Sequence, residues 1–390
     1  MSSLLVLGMI IFLVGMITET YILYYLTYIF VGLSIMLKIY NNNIRNNLSI
    51  THSIDDSHIF LKEKTSCRIE MSNQGKIPVF WVKVNEILPI KLTTLRHNSV
   101  VQLGSGETIT REFELRGKRR GYYTLGPLRW RSGDIFGYKD IGDVVEEESF
   151  FVFPKILSLA ELGLPSRIPY GKMQWPQPIF KDPVKNAGIR EYQPGDRMNK
   201  VHWKATARTG EIKVRKAEST VSLETAVVLD LAQGSYGLSG LEPNTELAIT
   251  TAASIGAYLT RQKQIFKFIS NGKDPISASD DLIISPAAKG EGHLQKILEI
   301  LARIEFDENE EIDTFFNHNL DLSWGATVII ITKTDTEKII NWCLNLLARG
   351  YSVKLLLVGG RVVHKQYLHL PFTAPLTIYQ VSSEEDLYAV

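Results

Sequence analysis

The sequence is poor in cysteine: Cys67 and Cys343 are the two thiols in 390 residues, and they lie far apart along the chain. A disulfide framework and a thiolate zinc cluster are therefore excluded as organising devices, and a reducing compartment is implied. There is no excess of charge of either sign. Forty-three basic side chains face forty-two acidic ones, for a formal net charge of +1, which excludes a generally basic nucleic-acid coat and an acidic disordered tail. Recognisable catalytic spacing is also missing: H-E-x-x-H, C-x-x-C, G-x-x-x-x-G-K-[ST] and G-x-S-x-G do not occur. No catalytic residue and no cofactor is assigned, and the chain is read as a non-enzyme.

Charge is most conspicuously absent near the N-terminus. From Leu4 to Leu37 the one charged side chain is Glu19. It separates two apolar runs, Leu4–Ile17 and Tyr21–Leu37. A 17-residue helix is roughly 25 Å long, against a hydrocarbon core of about 30 Å. Two readings follow, a helical hairpin and one long tilted helix. The hairpin is preferred, because it moves Glu19 from mid-membrane to the far surface. Tyr21, Tyr24, Tyr25 and Tyr28 then sit near the outer interface. No basic segment precedes the first run and no A-x-A site follows, which argues against a cleaved signal. Lys38 and Arg45 follow the second run, so the positive-inside rule places the rest of the chain in the cytoplasm. The expectation is a multi-pass cell-membrane protein, with residues 1–40 as a transmembrane hairpin, in contact with lipid. Asn41–Asn47 reads as a polar spacer.

Residues 41–155 carry short β-branched and aromatic runs between turn signals: Cys67–Met71, Val79–Ile87, Ile109–Leu115, Tyr122–Leu125 and Phe150–Phe153. This predicts an antiparallel β-sandwich-like domain. Arg111 to Arg131 holds seven basic and two acidic residues. Its two readings are a solvated hairpin rim and an anionic docking surface for lipid or protein.

Residues 156–222 form a connecting segment with the most distinctive stretch. Arg190, Tyr192, Pro194, Gly195, Asp196 and Arg197 lead into His202, Trp203 and Arg208. Pro194-Gly195 predicts a turn, and Asp196 a cap for a helix beginning at Arg197. Met198, Val201, Ala205 and His202 would form its apolar stripe, with Trp203 in the core and Gly210 closing the helix. Ile212 and Val214 would share one face of a following strand. Lys181 to Lys216 holds ten basic and four acidic residues. Three readings stay open: a structural lock pairing Glu191 and Asp196 with Arg190, Arg197 and Arg208; a protein-docking face; and nucleic-acid binding through Tyr192 and Trp203. The last has least support without a contiguous basic surface, and no nucleic-acid partner is assigned.

Residues 223–390 alternate between strand and helix. Thr225–Asp230, Ile265–Ile269, Thr327–Ile331 and Val353–Val358 are continuous apolar strands, and helices fall over Asn244–Arg261, Leu294–Ile304 and Glu337–Ala348. Such strands predict a parallel sheet covered on both faces. Asp230 then lies at the carboxyl end of the first strand, where open α/β sheets bind ligands. The chain as a whole is multidomain.

An apolar strand ending in aspartate, inside an alternating α/β domain, resembles a von Willebrand factor A domain. Such domains often hold a divalent metal through D-x-S-x-S. At those positions stand Asp230, Ala232 and Gly234, so two side-chain oxygens are gone. Magnesium demands near-octahedral oxygen ligands, and the resemblance implies a degenerate site without metal. Ser235 is one position out of register. The layout also resembles the bacterial domain of unknown function 58 family: two N-terminal spans, a β domain with R-G-x-Y-x-L-G-P…D-x-F-G, here Arg120–Pro127 and Asp134–Gly137, then R-x-Y-x-P-G-D…I-x-W…A-R. The last is matched by Arg190–Asp196, Trp203, Ala207 and Arg208, with Val201 at the isoleucine position. The resemblance implies a partner, a MoxR-type AAA+ ATPase. It also implies a role as a membrane-anchored adaptor in complex maturation or cell-envelope function. The rival reading is a metal-dependent ligand-binding protein using Asp230.

Overall fold

The computed structural model describes residues 2–86, 97–134, 140–162, 164, 172–174, 186–192, 201–217, 220–222, 224–236, 241–276, 282–306, 315, 320–359 and 376–381. The chain divides into two compact units, Met1–Phe153 and Pro154–Val390, with seven helices and several sheets among the described residues.

Unit one begins with α1 (Ser2–Thr18) and α2 (Tyr21–Asn47). They form a hairpin that turns at Glu19, which adopts a positive φ of 50°. Gly15 lets Leu23 approach closely, and the Phe12 and Tyr24 rings meet edge to face at 5.7 Å. The hydroxyls of Thr27 and Ser34 donate to the carbonyls of Leu23 and Phe30, so neither needs water. Ile10, Met16, Ile22 and Ile29 point outward on the hairpin, each more than half exposed. The expectation of two membrane-crossing helices is corrected. Helix α2 is long and apolar enough to cross a membrane; α1 is apolar but ends after 17 residues, without an extension such as the one that takes α2 to 27.

A second correction concerns Asn41–Asn47. It is no spacer but the last two turns of α2. Asparagine favours helices weakly, so packing holds these turns. Tyr40 and Ile44, four apart on one helix face, enter the core of the β domain beside Ile50, Met71, Val82 and Trp130. Asn43 and Gln74 tie the same helix to the sheet, through Asn43 Nδ2 to the Ile77 carbonyl and the Gln74 amide to the Asn47 carbonyl.

The strands that follow are β1 (Leu48–Ile54), β2 (His58–Phe60), β3 (Lys64–Asn73), β4 (Val79–Glu86), β5 (His97–Leu103), β6 (Thr108–Arg116), β7 (Gly121–Leu125), β8 (Leu128–Gly133), β9 (Asp140–Val145) and β10 (Glu148–Phe153). They make three sheets, β1-β3-β6, β5-β4-β8-β9 and β2-β10-β7. One core unites residues of β1 and β3 with β4, β5, β8 and β9, and a second unites β1, β3 and β6 with β2, β7 and β10. The arrangement departs from a wholly antiparallel sandwich at one pairing, since β2 runs parallel to β10. The Arg-Gly-Tyr-Tyr segment has a local cause. The Tyr123 ring folds over Gly121, where a side chain would meet it at 3.0 Å, and its hydroxyl donates to the Arg119 carbonyl. The basic side chains of 111–131 fall on or between strands of all three sheets, which favours the solvated-rim reading over a single stripe.

Unit two contains two small pairs. Strand β11 (Lys172–Gln174) pairs with β14 (Thr220–Ser222), and β12 (Asn186–Glu191) pairs antiparallel with β13 (Lys213–Ala217). Between β12 and β13 lies α3 (Trp203–Thr209). The large sheet has the order β17-β16-β15-β18-β19-β20, from β15 (Thr225–Leu229), β16 (Phe266–Ser270), β17 (Ile283–Ile284), β18 (Thr327–Thr332), β19 (Ser352–Val358) and β20 (Thr377–Val381). All are parallel except edge strand β17. Strands β15, β16 and β18 are buried at every position, which explains the apolar sequences of β15 and β18; β16 carries Lys267, whose Nζ donates to the Asp321 carbonyl at 2.9 Å. Helices α4 (Gln233–Tyr236), α5 (Leu241–Arg261), α6 (Glu291–Arg303) and α7 (Glu337–Ala348) complete the unit.

Candidate functional site

From β15 the chain adds β16 on one side and later β18 on the other, so the strand order reverses between β15 and β18, and the carboxyl ends of these parallel strands define the place where such sheets form a crevice. Asp230 stands there, one residue past Leu229, with no exposed surface. Its Oδ1 accepts from the Ala232 amide at 3.1 Å and from Asn271 Nδ2 at 3.0 Å. Its Oδ2 accepts from the Thr332 hydroxyl at 2.8 Å, and the Ser235 hydroxyl adds a further bond. Asn271 is fixed in turn, because its Oδ1 accepts the Leu231 amide at 2.7 Å. Thr332 ends β18 and Asn271 follows β16. One carboxylate therefore joins the ends of three adjacent strands.

Burial pushes the Asp230 carboxyl above its ordinary range, against the pull of these four donors. Tyr236 lies beneath the site, also buried, and its hydroxyl donates to the Asp230 carbonyl at 2.7 Å. Burial first, and the Asp230 charge second, hold its phenol well above the usual value. Lys333 donates to the Tyr236 carbonyl. Beside this edge, Arg303 on α6 grips both oxygens of buried Asp274 at 2.8 Å, pinning the segment after β16. A cation at Asp230 could call on this carboxylate and the Thr332 hydroxyl, but both are already bonded to each other. Ala232 contributes a buried methyl, and Gly234 no side chain. No cluster of three or more His, Cys, Asp or Glu suited to a metal occurs among the described residues.

Asn271, Thr332 and Tyr236 were not among the residues singled out from sequence. Two of them carried a usable signal. Asn271 and Thr332 each stand at or just past the carboxyl end of an apolar strand, as Asp230 does.

The second candidate region is built on β12, α3 and β13. Val201 bridges to Val214, and both are buried. The His202 amide donates to the Lys213 carbonyl at 2.8 Å, and the Lys213 amide donates to Thr206 Oγ1 at 3.0 Å. The helix therefore lies tied to the strand after it. It starts at Trp203, not at Arg197, and its cap is His202, whose Nδ1 accepts the Ala205 amide at 3.2 Å. Gly210 closes it at a φ of 74°, a conformation that glycine adopts without strain. With this later start Val201 falls in a strand bridge instead of on the helix, and no residue of α3 is buried. Trp203, expected in the core, is 65% exposed, and Ile212, expected beside Val214, is 43% exposed. Tyr192 is 36% exposed. Lys204 and Arg208, one turn apart, are exposed on α3. Glu191 pairs with Lys213 at 3.2 Å, and Lys213 also meets Glu211 at 3.0 Å. Arg190 is placed by backbone pairing with Val214. Pro194, Gly195, Asp196 and Arg197 lie outside the described residues.

Comparison with known proteins adds the following. The sequence profile of the family described as "Protein of unknown function DUF58" matches residues 188–385, just over half of the chain. The match covers both candidate regions from Gly188 onward. The chain is 20% identical over 300 residues to a protein of Bacillus subtilis (strain 168) described as "Uncharacterized protein YeaD", covering 75% of this chain and 71% of that one. Among solved structures, it is similar to the CARDB domain of PF1109 from Pyrococcus furiosus at 19% identity, covering 27% of this chain and 92% of that one with a TM-score of 0.20. A similar partial likeness, at 12% identity and a TM-score of 0.23, extends to Escherichia coli alpha-2-macroglobulin from domain MG7 to its C-terminus, over 28% of this chain and 17% of that one.

Proposed function

The chain belongs to the DUF58 family of proteins of unknown function, and from that premise we propose that it is a membrane-anchored, non-enzymatic adaptor that docks a protein partner through the α3 module. The observation that carries this reading is Trp203. A tryptophan 65% exposed on a helix that is otherwise well tied down is an apolar anchor without a cavity of its own, and such side chains dominate binding energies at protein interfaces. Ile212 and Tyr192 extend the apolar surface, while Lys204 and Arg208 supply positive charge. The matching partner surface has an apolar pocket with an acidic rim. A MoxR-type AAA+ ATPase is the proposed partner, by the family resemblance.

In this reading α2 crosses the cell membrane through residues 21–37, with α1 packed along it and Glu19 at the far surface. Lys38 and Arg45 keep both folded units in the cytoplasm. The C-terminal sheet is an A-type domain whose metal site has become a structural knot. The rival reading, a metal-dependent ligand binder using Asp230, has less support, since a cation would have to displace donors already bonded to the carboxylate. The test is capture of the purified ATPase by full-length protein in detergent. Trp203→Ala is expected to weaken capture at least tenfold, about 1.4 kcal/mol, at an unchanged melting temperature. Unchanged capture refutes the docking role.

A further inference from the structure

Helix α2 does not end at the membrane surface. It runs on for ten residues past Leu37 and buries Tyr40 and Ile44 in the β domain of the same unit. The β domain is thus fixed to the helix rather than hung from a flexible linker. Helical side chains lean toward the helix N-terminus, which for α2 is the direction of the membrane segment. The Tyr40 ring therefore lies over the turn that holds Met36 and Leu37, the last apolar residues of the span. Phe80, the second residue of β4, stacks on that ring with centroids 5.8 Å apart, and the Tyr40 hydroxyl accepts the Phe80 amide at 3.1 Å. Although it packs on one side, Phe80 is 42% exposed. Lys38, Ile39 and, on the turn before β4, Lys76 are exposed as well.

We propose that Phe80, backed by Tyr40, is an interfacial membrane contact that seats the β domain directly on the bilayer, with Lys38 and Lys76 at the level of anionic headgroups. The inference rests on the reading of α2 as a membrane span. Aromatic rings favour the boundary between hydrocarbon and headgroups, and juxtamembrane cations favour anionic lipid. The β domain then has a fixed height and orientation above the membrane, set by a helix and a ring stack.

The experiment is spin-label depth measurement on the full chain, reconstituted in vesicles of phosphatidylcholine and phosphatidylglycerol in equal parts. The native thiols Cys67 and Cys343 are buried. Labels are placed by Phe80→Cys, by Lys76→Cys on the same rim, by Ile35→Cys in the span, and by Glu114→Cys at the far end of β6. The expected order of oxygen-to-nickel accessibility is 35 above 80, 80 above 76, and 76 above 114, with position 80 several-fold above 114. In vesicles of phosphatidylcholine alone, position 76 shifts toward water. If positions 80 and 76 both match 114 while 35 reads hydrocarbon, the span stands and the interfacial contact is overturned. Positions 80 and 76 that become protected on adding the ATPase, and not before, overturn it in favour of a protein face. An aqueous reading at 35 removes the span, and this inference with it.

Discussion

The two regions that family and sequence single out in unit two are physical opposites. Around Asp230 every polar atom of the carboxylate has a donor, and the side chain has no exposed surface. Around Trp203 the backbone is held by bonds from the amides of His202, Ala205, Thr206 and Gly210, yet the largest side chain stands in solvent. A site for ligands keeps valence or surface in reserve. By that criterion the sheet edge is closed and the α3 module is open, although its position at a strand end made the edge the better candidate on topology alone. The lesson is that a ligand-binding position in a fold says where a site could be, and the bonding of the side chains says whether one is left.

The comparison is most strongly stressed by removing the closed carboxylate. Asp230→Ala leaves the Asn271 amide, the Thr332 hydroxyl and the Ala232 amide buried without their acceptor. A loss of about 3–5 kcal/mol is expected, read as a fall of roughly 10 °C in the melting temperature of the full chain. A variant that melts like wild type would show that the edge is not a structural knot. Trp203→Ala, by contrast, is expected to leave thermal stability within about 0.5 kcal/mol of wild type, as an exposed side chain should. Between these lies Gly210→Ala. Its left-handed backbone predicts a cost of about 1 kcal/mol for any side chain there, measurable by urea denaturation.

The smallest effect concerns pH. Because burial raises the Asp230 carboxyl in the folded chain, the native state keeps a proton that the unfolded state releases, over the window from the ordinary carboxylate value up to the raised one. Stability from this group is therefore greatest below that window and declines as pH rises through it. Urea titrations of wild type and Asp230→Asn across mildly acidic pH should show the wild type losing ground as pH rises. A gap that widens in the opposite sense contradicts the assignment.

Much of unit two was legible because burial on both faces leaves a plain mark. Thr225–Leu229 and Thr327–Thr332 are apolar almost without interruption, and the amphipathic helices over Glu291–Arg303 and Glu337–Ala348 announce themselves by spacing. Strands β1, β8 and β9 were not legible. Each is half-solvated, with residues such as His52, Arg129 and Asp143 breaking the apolar pattern. The asparagine-rich end of α2 was misread because local propensity opposes the helix there, and distant partners in the β domain enforce it. At the candidate sites, Asp230 was found from its place in the sheet, but its saturation depends on Asn271 and Thr332, more than forty and a hundred residues away. The exposure of Trp203 was missed for a narrower reason: α3 buries none of its residues, so it has no core-facing stripe for a tryptophan to join.

Hydrogen–deuterium exchange of the full-length protein in detergent, with and without the purified MoxR-type ATPase, tests the contrast between closed and open regions most directly. The account predicts new protection across residues 202–213 and no change at 229–236. Protection at 229–236 with 202–213 unaltered would contradict it.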